Sequence, residues 1–545
     1  MNRARVLVLL AALGFGCSET TRFALRPPVV RVDDERPFAR APASETGSDA
    51  IDAMVLRPLS HALTFESVDE AHDVNSLDEV PDSSWFTNRT VTAEQVARGP
   101  CSDAGPVPPF TITSTKVGGV TSGFVARDAR GQKYVLKLDE LARYGQPEIS
   151  TAADAVVSRL YWAIGFNAPC NDTVYVRPRE LILGADAKEV LSTGRRKALT
   201  AARVAEILQV GTRAGGAIRF TASRFIDGED VGTWRPEGVR PDDPNDVIPH
   251  EDRRELRGEF FLAGWTAHWD TRRANTFDAF VRAGRGGYVL HYFLDFSDAL
   301  GGTITHTKWN EPRSGLESVS SVQTIAVDAV GFGFVRRPWD DVKIDPRFPD
   351  LGYLDVEHFD PLAFSAQTPV VRWAHAQPQD LAWMARKIAR IDEGDVRAAV
   401  RAARLSHPRE ERRLVEILMG RRERILRTSF TRISPLADVT VNGDIVCATD
   451  LARTTRVASA PTSYAAAFRR GRRLEFAPVA PRLERTGEGV CATLPHFAPA
   501  GAPPSSSARY AILDLVRFEG RARTRLRVHL YDLGARYALV GIERP

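Results

Sequence analysis

The chain has 545 residues, of which 43% are hydrophobic and 26% charged, a composition with room for several cores that excludes a single small module and a largely disordered polymer. Its net charge is only +4, from 73 basic and 69 acidic residues, so there is no basic field for nucleic acid, and no nucleic-acid partner is expected. The basic side is almost all Arg, 65 against eight Lys, which makes each Lys a rare choice.

Arg3 and Arg5 precede the apolar run Val6 to Leu13, too short to span a bilayer, and small residues follow up to Cys17, as in an export signal. The segment Leu13-Gly14-Phe15-Gly16-Cys17 resembles a bacterial lipoprotein lipobox, with Gly14 and Phe15 departing from its usual residues. The resemblance implies a signal peptide over 1–17 and lipidation of Cys17. With Ser18 next, it also implies an anchor in the outer membrane, the chain being otherwise periplasmic; the membrane is met through this lipid only. Residues 18–52, rich in Pro, Arg, Ser and acidic residues, are expected to form a flexible tether. Residues 53–109 read as an irregular extension that packs Trp85 and Phe86 on the next domain.

From Phe110 the pattern becomes strand-like: Thr111 to Val117, a Gly118-Gly119 turn, Gly123 to Arg127, and Lys133 to Leu138, an antiparallel meander. Glu148 to Ile164 carries a helical apolar stripe, and further strands follow at 173–176, 180–183 and 217–226, with a helical insertion near 200–209. Pro249 is placed to open a helix from His250 to about His268. Strands at 276–281 and 288–293 come next, then helices near 379–390, 393–403 and 409–427. From about Ser434 the alternation is that of a separate all-β domain. Apart from Cys17, the four cysteines pair most economically as Cys101 with Cys170 and Cys447 with Cys491, free thiols being the alternative.

Three motifs carry chemistry. His268-Trp269-Asp270-Thr271-Arg272-Arg273-Ala274-Asn275 has the H-x-D-x-x-x-x-N spacing of a kinase catalytic loop. Asp295-Phe296-Ser297 begins twenty residues past Asn275, at the end of a strand, where kinases carry a metal-binding Asp. Lys137 ends the apolar strand Tyr134-Val135-Leu136-Lys137, where kinases place the Lys that holds phosphates. Singly, each has a bland role: a solvated strand Lys, a turn-capping Asp, an Asn in a left-handed turn. In this order they fit phosphoryl transfer, which needs a Lys on the phosphates, oxygen ligands for Mg2+ and an Asp at the acceptor hydroxyl.

The sequence from about Phe110 to Phe430 resembles an atypical protein-kinase-like fold of the HipA and phosphatidylinositol 3/4-kinase type. Its segments 78–89, 240–259, 268–278 and 292–301 are similar to an uncharacterised family of exported bacterial proteins. The resemblance implies an α+β protein. A two-lobed kinase-like domain is expected, with an antiparallel β N-lobe over 110–226 and a mainly helical C-lobe over 227–430, followed by a small β-sandwich-like domain over 434–545. It also implies ATP and Mg2+ as cofactors. Lys137, Glu148, Gly118 and Gly119 would hold the nucleotide, Asn275 and Asp295 the metal, Asp270 the acceptor hydroxyl on a protein or small molecule, and Arg272 the γ phosphate. Glu148 is preferred over Asp154 as partner of Lys137. Ser297 replaces the Gly of D-F-G, and Gly118-Gly119 with Gly123 is not G-x-G-x-x-G. The competing expectation is a catalytically inactive relative acting as a binding module at the cell envelope.

Overall fold

The computed structural model describes residues 21–40, 68–101, 105–116, 121–140, 147–191, 194–302, 330–331 and 341–545. The expected signal peptide, Cys17 and the expected turn at Gly118-Gly119 lie outside the described residues. The fold is mixed α+β, with one mixed sheet, three antiparallel sheets and helices packed between them. Among the described residues no helix is long and apolar enough to cross a membrane.

Residues 21–40 correct the expectation of a loose tether. Phe23 packs edge-on against His529 at 4.8 Å, and Val32 and Asp82 pair through the backbone at 2.8 Å. Asp34 accepts hydrogen bonds from Ser84 N and Oγ at 2.9 and 2.8 Å, and Phe38 bridges to Gly287. Half-buried apolar anchors, Phe23, Leu25 and Phe38, together with the buried and hydrogen-bonded Asp34, offset the entropy of ordering the segment. The extension that follows holds a short helix, α1 (Ala93–Arg98), closed at its start by a Thr92/Gln95 capping box. Trp85 and Phe86 are buried as expected, Trp85 stacking on His291 at 3.7 Å. Asp78 gathers Arg254, Arg386 and Arg544, fastening the extension to the helical region and to the C-terminal end of the chain.

The mixed sheet is built from β1 (Phe110–Thr115), β2 (Gly123–Arg127), β3 (Lys133–Leu138), β4 (Asn171–Val176), β5 (Leu181–Val190), β6 (Arg196–Ala198), β7 (Arg213–Ala214) and β8 (Ala217–Arg224). Its order is β4-β8-β3-β2-β1-β5-β6, with β7 on β8. The sheet is not wholly antiparallel as expected, because β5 joins the far edge parallel to β1. A parallel partner needs a long crossover, and the run through α2 (Ile149–Ile164) and β4 supplies it. Fifteen of the sixteen α2 residues are buried, between the sheet and the helices below. The helix stops at Gly165, at φ +141°, where a Cβ would lie 2.3 Å from the Phe86 ring.

After α3 (Ala201–Gln209), Pro249 opens only a short 3-10 turn at His250–Asp252. The helix proper, α4 (Arg254–Thr266), starts after Arg253, whose extended backbone sends its guanidinium over Trp85 at 4.9 Å and to Asp246 at 3.1 Å. β9 (Glu229–Asp230), β10 (Thr276–Ala283) and β11 (Gly286–Phe293) form a small antiparallel sheet. α5 (Val371–Ala374), α6 (Pro378–Ala389), α7 (Glu393–Ala402) and α8 (Pro408–Phe430) follow. The aliphatic faces of α6, α7 and α8 share one core with α2, α4, Trp85 and Phe86. In the C-terminal region a four-stranded sheet of β12 (Leu436–Asn442), β13 (Ile445–Asp450), β17 (Gly489–Thr493) and β16 (Arg482–Arg485), in that order, and a five-stranded sheet of β15 (Glu475–Phe476), β14 (Thr462–Arg470), β18 (Tyr510–Glu519), β19 (Ala522–Asp532) and β20 (Tyr537–Glu543), in that order, share another core. Cys447 and Cys491 are register partners on the first of these sheets and are disulfide-bonded; Cys101 is bonded to Cys170.

Candidate active site

β3 is an interior strand between β2 and β8, and its inward face carries Lys137, 8% exposed. An ammonium buried there must be paired. Its Nζ lies 3.1 Å from Asp154 Oδ2, in the middle of α2, and 2.8 Å from Asp295 Oδ1. Burial alone would lower the pKa of Lys137, but the charges of Asp154 and Asp295 outweigh it and hold the group as ammonium.

The second half of the site comes from the β10–β11 hairpin. Its register pairs Thr276 with Phe293, so the residues just outside the hairpin, Asn275 and Leu294, are neighbours, and Leu294 N–H donates to the Asn275 carbonyl at 2.8 Å. Two motifs twenty residues apart are thereby brought to one sheet end. Asp295 takes the left-handed conformation, φ +50°, which Asp tolerates, and the turn aims Phe296 N–H at Asp154 Oδ1 at 3.1 Å. Asp154 therefore joins Lys137 to the backbone after Asp295. Asn275 Nδ2 donates to the Asp270 carbonyl at 2.7 Å, which fixes the loop between them.

Carboxylates outnumber cations here. Asp154, Asp270 and Asp298 are all buried, and Asp295 is partly exposed. Burial is the first cause that would raise the pKa of Asp295, but Lys137 overcomes it and keeps this carboxylate ionised. Burial raises Asp270, opposed by Arg272, whose Nε lies 3.0 Å from Asp270 Oδ1. Burial and the neighbouring charges of Asp295 and Asp270 push Asp298 well above the usual carboxylate range. Asp298 Oδ1 is buried without a hydrogen-bond partner, and Asp295 Oδ2 has no donor among the described residues. A buried oxygen left bare is costly, and such oxygens suit a hard cation. His268 is wholly buried against Tyr161 and Phe296, and burial lowers its pKa to about 3.

The structure brings together Lys137, Asp270, Arg272, Asn275 and Asp295. It does not bring Glu148 to Lys137. Glu148 stands before the first turn of α2 at φ +74° and accepts from Ser406 N at 2.8 Å and Tyr175 Oη at 3.2 Å, so it ties α2 to the α7–α8 connection; Asp154 is the partner of Lys137. Arg272 rests on Asp270 with its side chain 46% exposed. Lys116, at the end of β1, was not singled out from the sequence. Its backbone N–H donates to Gly123, the register partner of Lys137, its Nζ donates to the Thr121 carbonyl at 3.2 Å, and its pKa is lowered by burial and by the charge of Lys137. The scarcity of Lys was the one signal that pointed to it.

No family model and no curated protein sequence matches the chain. A crystal structure of a Golgi casein kinase with Mn and ADP bound overlaps at a TM-score of 0.27 and 12% identity, covering 71% of this chain and 92% of that one. A second Golgi casein kinase structure overlaps at 0.22 and 12% identity, covering 67% and 92%. Overlap at this level carries neither fold nor activity over to this chain.

Proposed function

We propose that the site between the mixed sheet and the β10–β11 hairpin binds ATP with Mg2+ and transfers to a hydroxyl on a protein or small molecule either the γ-phosphoryl group, with ADP leaving, or the adenylyl group, with pyrophosphate leaving. The observation that carries this reading is the buried ammonium of Lys137 between Asp154 on a helix and Asp295 after a strand, with Asn275 beside it. Phosphoryl transfer is chiefly positioning and charge stabilisation, and these are the groups it requires. Lys137, with Lys116 near it, would take the phosphate oxygens. Asp295, Asn275 and Asp298 offer the oxygens that would hold the metal, which when bound neutralises phosphate charge. Asp270 would accept the proton of the acceptor hydroxyl, and Arg272 would reach the transferred group by swinging from Asp270.

The two disulfides fit a chain that works outside the reducing cytoplasm. With the lipobox resemblance they support an envelope protein held to the outer membrane through Cys17. Intact-mass measurement after incubation with ATP and Mg2+ or Mn2+, with and without envelope extract as acceptor, tests the activity. A mass gain of one phosphoryl or nucleotidyl group on the chain or an acceptor, absent in Asp270→Asn, is the expected result. Unchanged masses under all conditions would contradict transfer.

A further inference from the structure

The β domain differs in charge from the rest of the chain. Residues 434–545 contain 16 Arg and no Lys against ten Asp and Glu, a net +6, while the whole chain nets only +4. Several of these arginines are committed inside the domain: Arg517 meets Asp450 at 2.7 Å and Arg527 meets Asp514 at 2.8 Å. Others stand in solvent at the sheet ends. At one end, the turn after β14 (Thr462–Arg470) exposes Arg472 and Arg473, and the turn after β19 (Ala522–Asp532) exposes Arg536. Among the described residues none of the three has an ion-pair partner.

These turns are neighbours. Leu474 from the first and Leu533 from the second pack on one cluster of Tyr510, Ile512, Tyr531 and Val540. The same cluster receives Phe23 and Leu25 from the N-terminal segment. Just past the arginines, Phe476 is 73% exposed and Val479 62% exposed. Phe476 is held opposite Arg469 by the β14–β15 pairing, and the acidic residue of this turn is Glu475.

We infer that this end of the β domain rests on an anionic phospholipid surface, with Arg472, Arg473 and Arg536 on headgroup phosphates and Phe476 in the interfacial layer. Unpaired guanidinium groups call for anions and match phosphate in bidentate geometry. Exposed apolar side chains beside them call for what a soluble anion lacks. The contact is additional to any lipid on Cys17 and independent of chemistry in the candidate active site.

Sedimentation with vesicles tests it, using the chain from Ser18 onward, which keeps every described residue and lacks the leader and the lipidated thiol. Vesicles of phosphatidylcholine alone are compared with mixtures containing phosphatidylglycerol. Binding to the anionic vesicles is expected. Arg472→Gln combined with Arg473→Gln should weaken it about 25-fold, at roughly fivefold per arginine, and Phe476→Ser should weaken it further. Arg521→Gln with Arg523→Gln should leave it nearly unchanged, because that exposed pair lies at the opposite end of the sheet. All these side chains are exposed, and thermal unfolding of each variant is expected to match the parent. Equal binding to both vesicle types, full retention by the R472Q/R473Q pair, equal loss from the two pairs, or binding to soluble polyphosphate as tight as to the vesicles would each overturn the inference.

Discussion

Lys137 Nζ and Asp154 Oδ2 stand 3.1 Å apart in a buried pocket, and Glu148, six residues earlier in the chain, turns away to Ser406. A buried ion pair broken on one side leaves the other charge uncompensated, which is why the two carboxylates next to α2 have different consequences. Asp154→Asn should lower affinity for ATP with Mg2+ at least about tenfold, the scale of one charge-assisted hydrogen bond. Glu148→Gln should leave that affinity within about twofold and lower the unfolding midpoint, because it loosens the α7–α8 connection. Calorimetric titration and thermal unfolding of both variants separate these effects; the reverse pattern would return Glu148 to the site.

Lys116 is joined through Gly123 to the strand of Lys137 and feels its charge, in a chain with eight lysines. If it serves phosphates, Lys116→Gln weakens ATP severalfold and leaves adenosine unaffected. Parallel titrations with the two ligands give the ratio, and equal weakening of both would assign Lys116 a structural role.

His268 predicts a pH effect on stability. Its ordinary pKa near 6.5 is lowered to about 3 in the fold because burial disfavours the imidazolium. Between these values the unfolded chain binds a proton that the folded chain refuses, so stability falls as pH drops from about 6.5 toward 3. The slope from this one group is up to about 1.4 kcal/mol per pH unit. Urea denaturation from pH 7 to pH 4 should show a steeper decline for the native chain than for His268→Leu; identical slopes would mean that His268 charges freely in the fold.

Trp85 ties the N-terminal extension to the hairpin that positions Asp295. It stacks on His291 at 3.7 Å, meets Trp234 edge-on at 5.4 Å and lies under Arg253. Trp85→Ala should cost about 3–5 kcal/mol, as truncation of a large buried aromatic does. Denaturant unfolding reads the loss, and a change below about 1 kcal/mol would show that the extension does not support the core.

Local patterns were legible and tertiary choices were not. The period-two runs around β1–β3 and β18–β20 and the apolar stripes of α2, α6, α7 and α8 could be read directly, because burial of one face dictates them. The motif order also placed Lys137, Asp270, Asn275 and Asp295 in one site. The choice between Glu148 and Asp154 depends on where α2 crosses β3, and no spacing within the helix encodes that. Residues 21–40 look polar because their few anchors, Phe23, Leu25 and Phe38, are held by partners hundreds of residues away. The parallel β1–β5 contact is likewise settled by the path of the whole crossover.

The central claim is tested most directly by calorimetry of the chain from Ser18 onward, titrated with ATP in the presence and absence of Mg2+, with Asp295→Asn as control. The account predicts binding that requires the metal and is lost in the variant while its unfolding midpoint is kept. A folded protein that binds no nucleotide with or without Mg2+, or binds it equally well after Asp295→Asn, would contradict it.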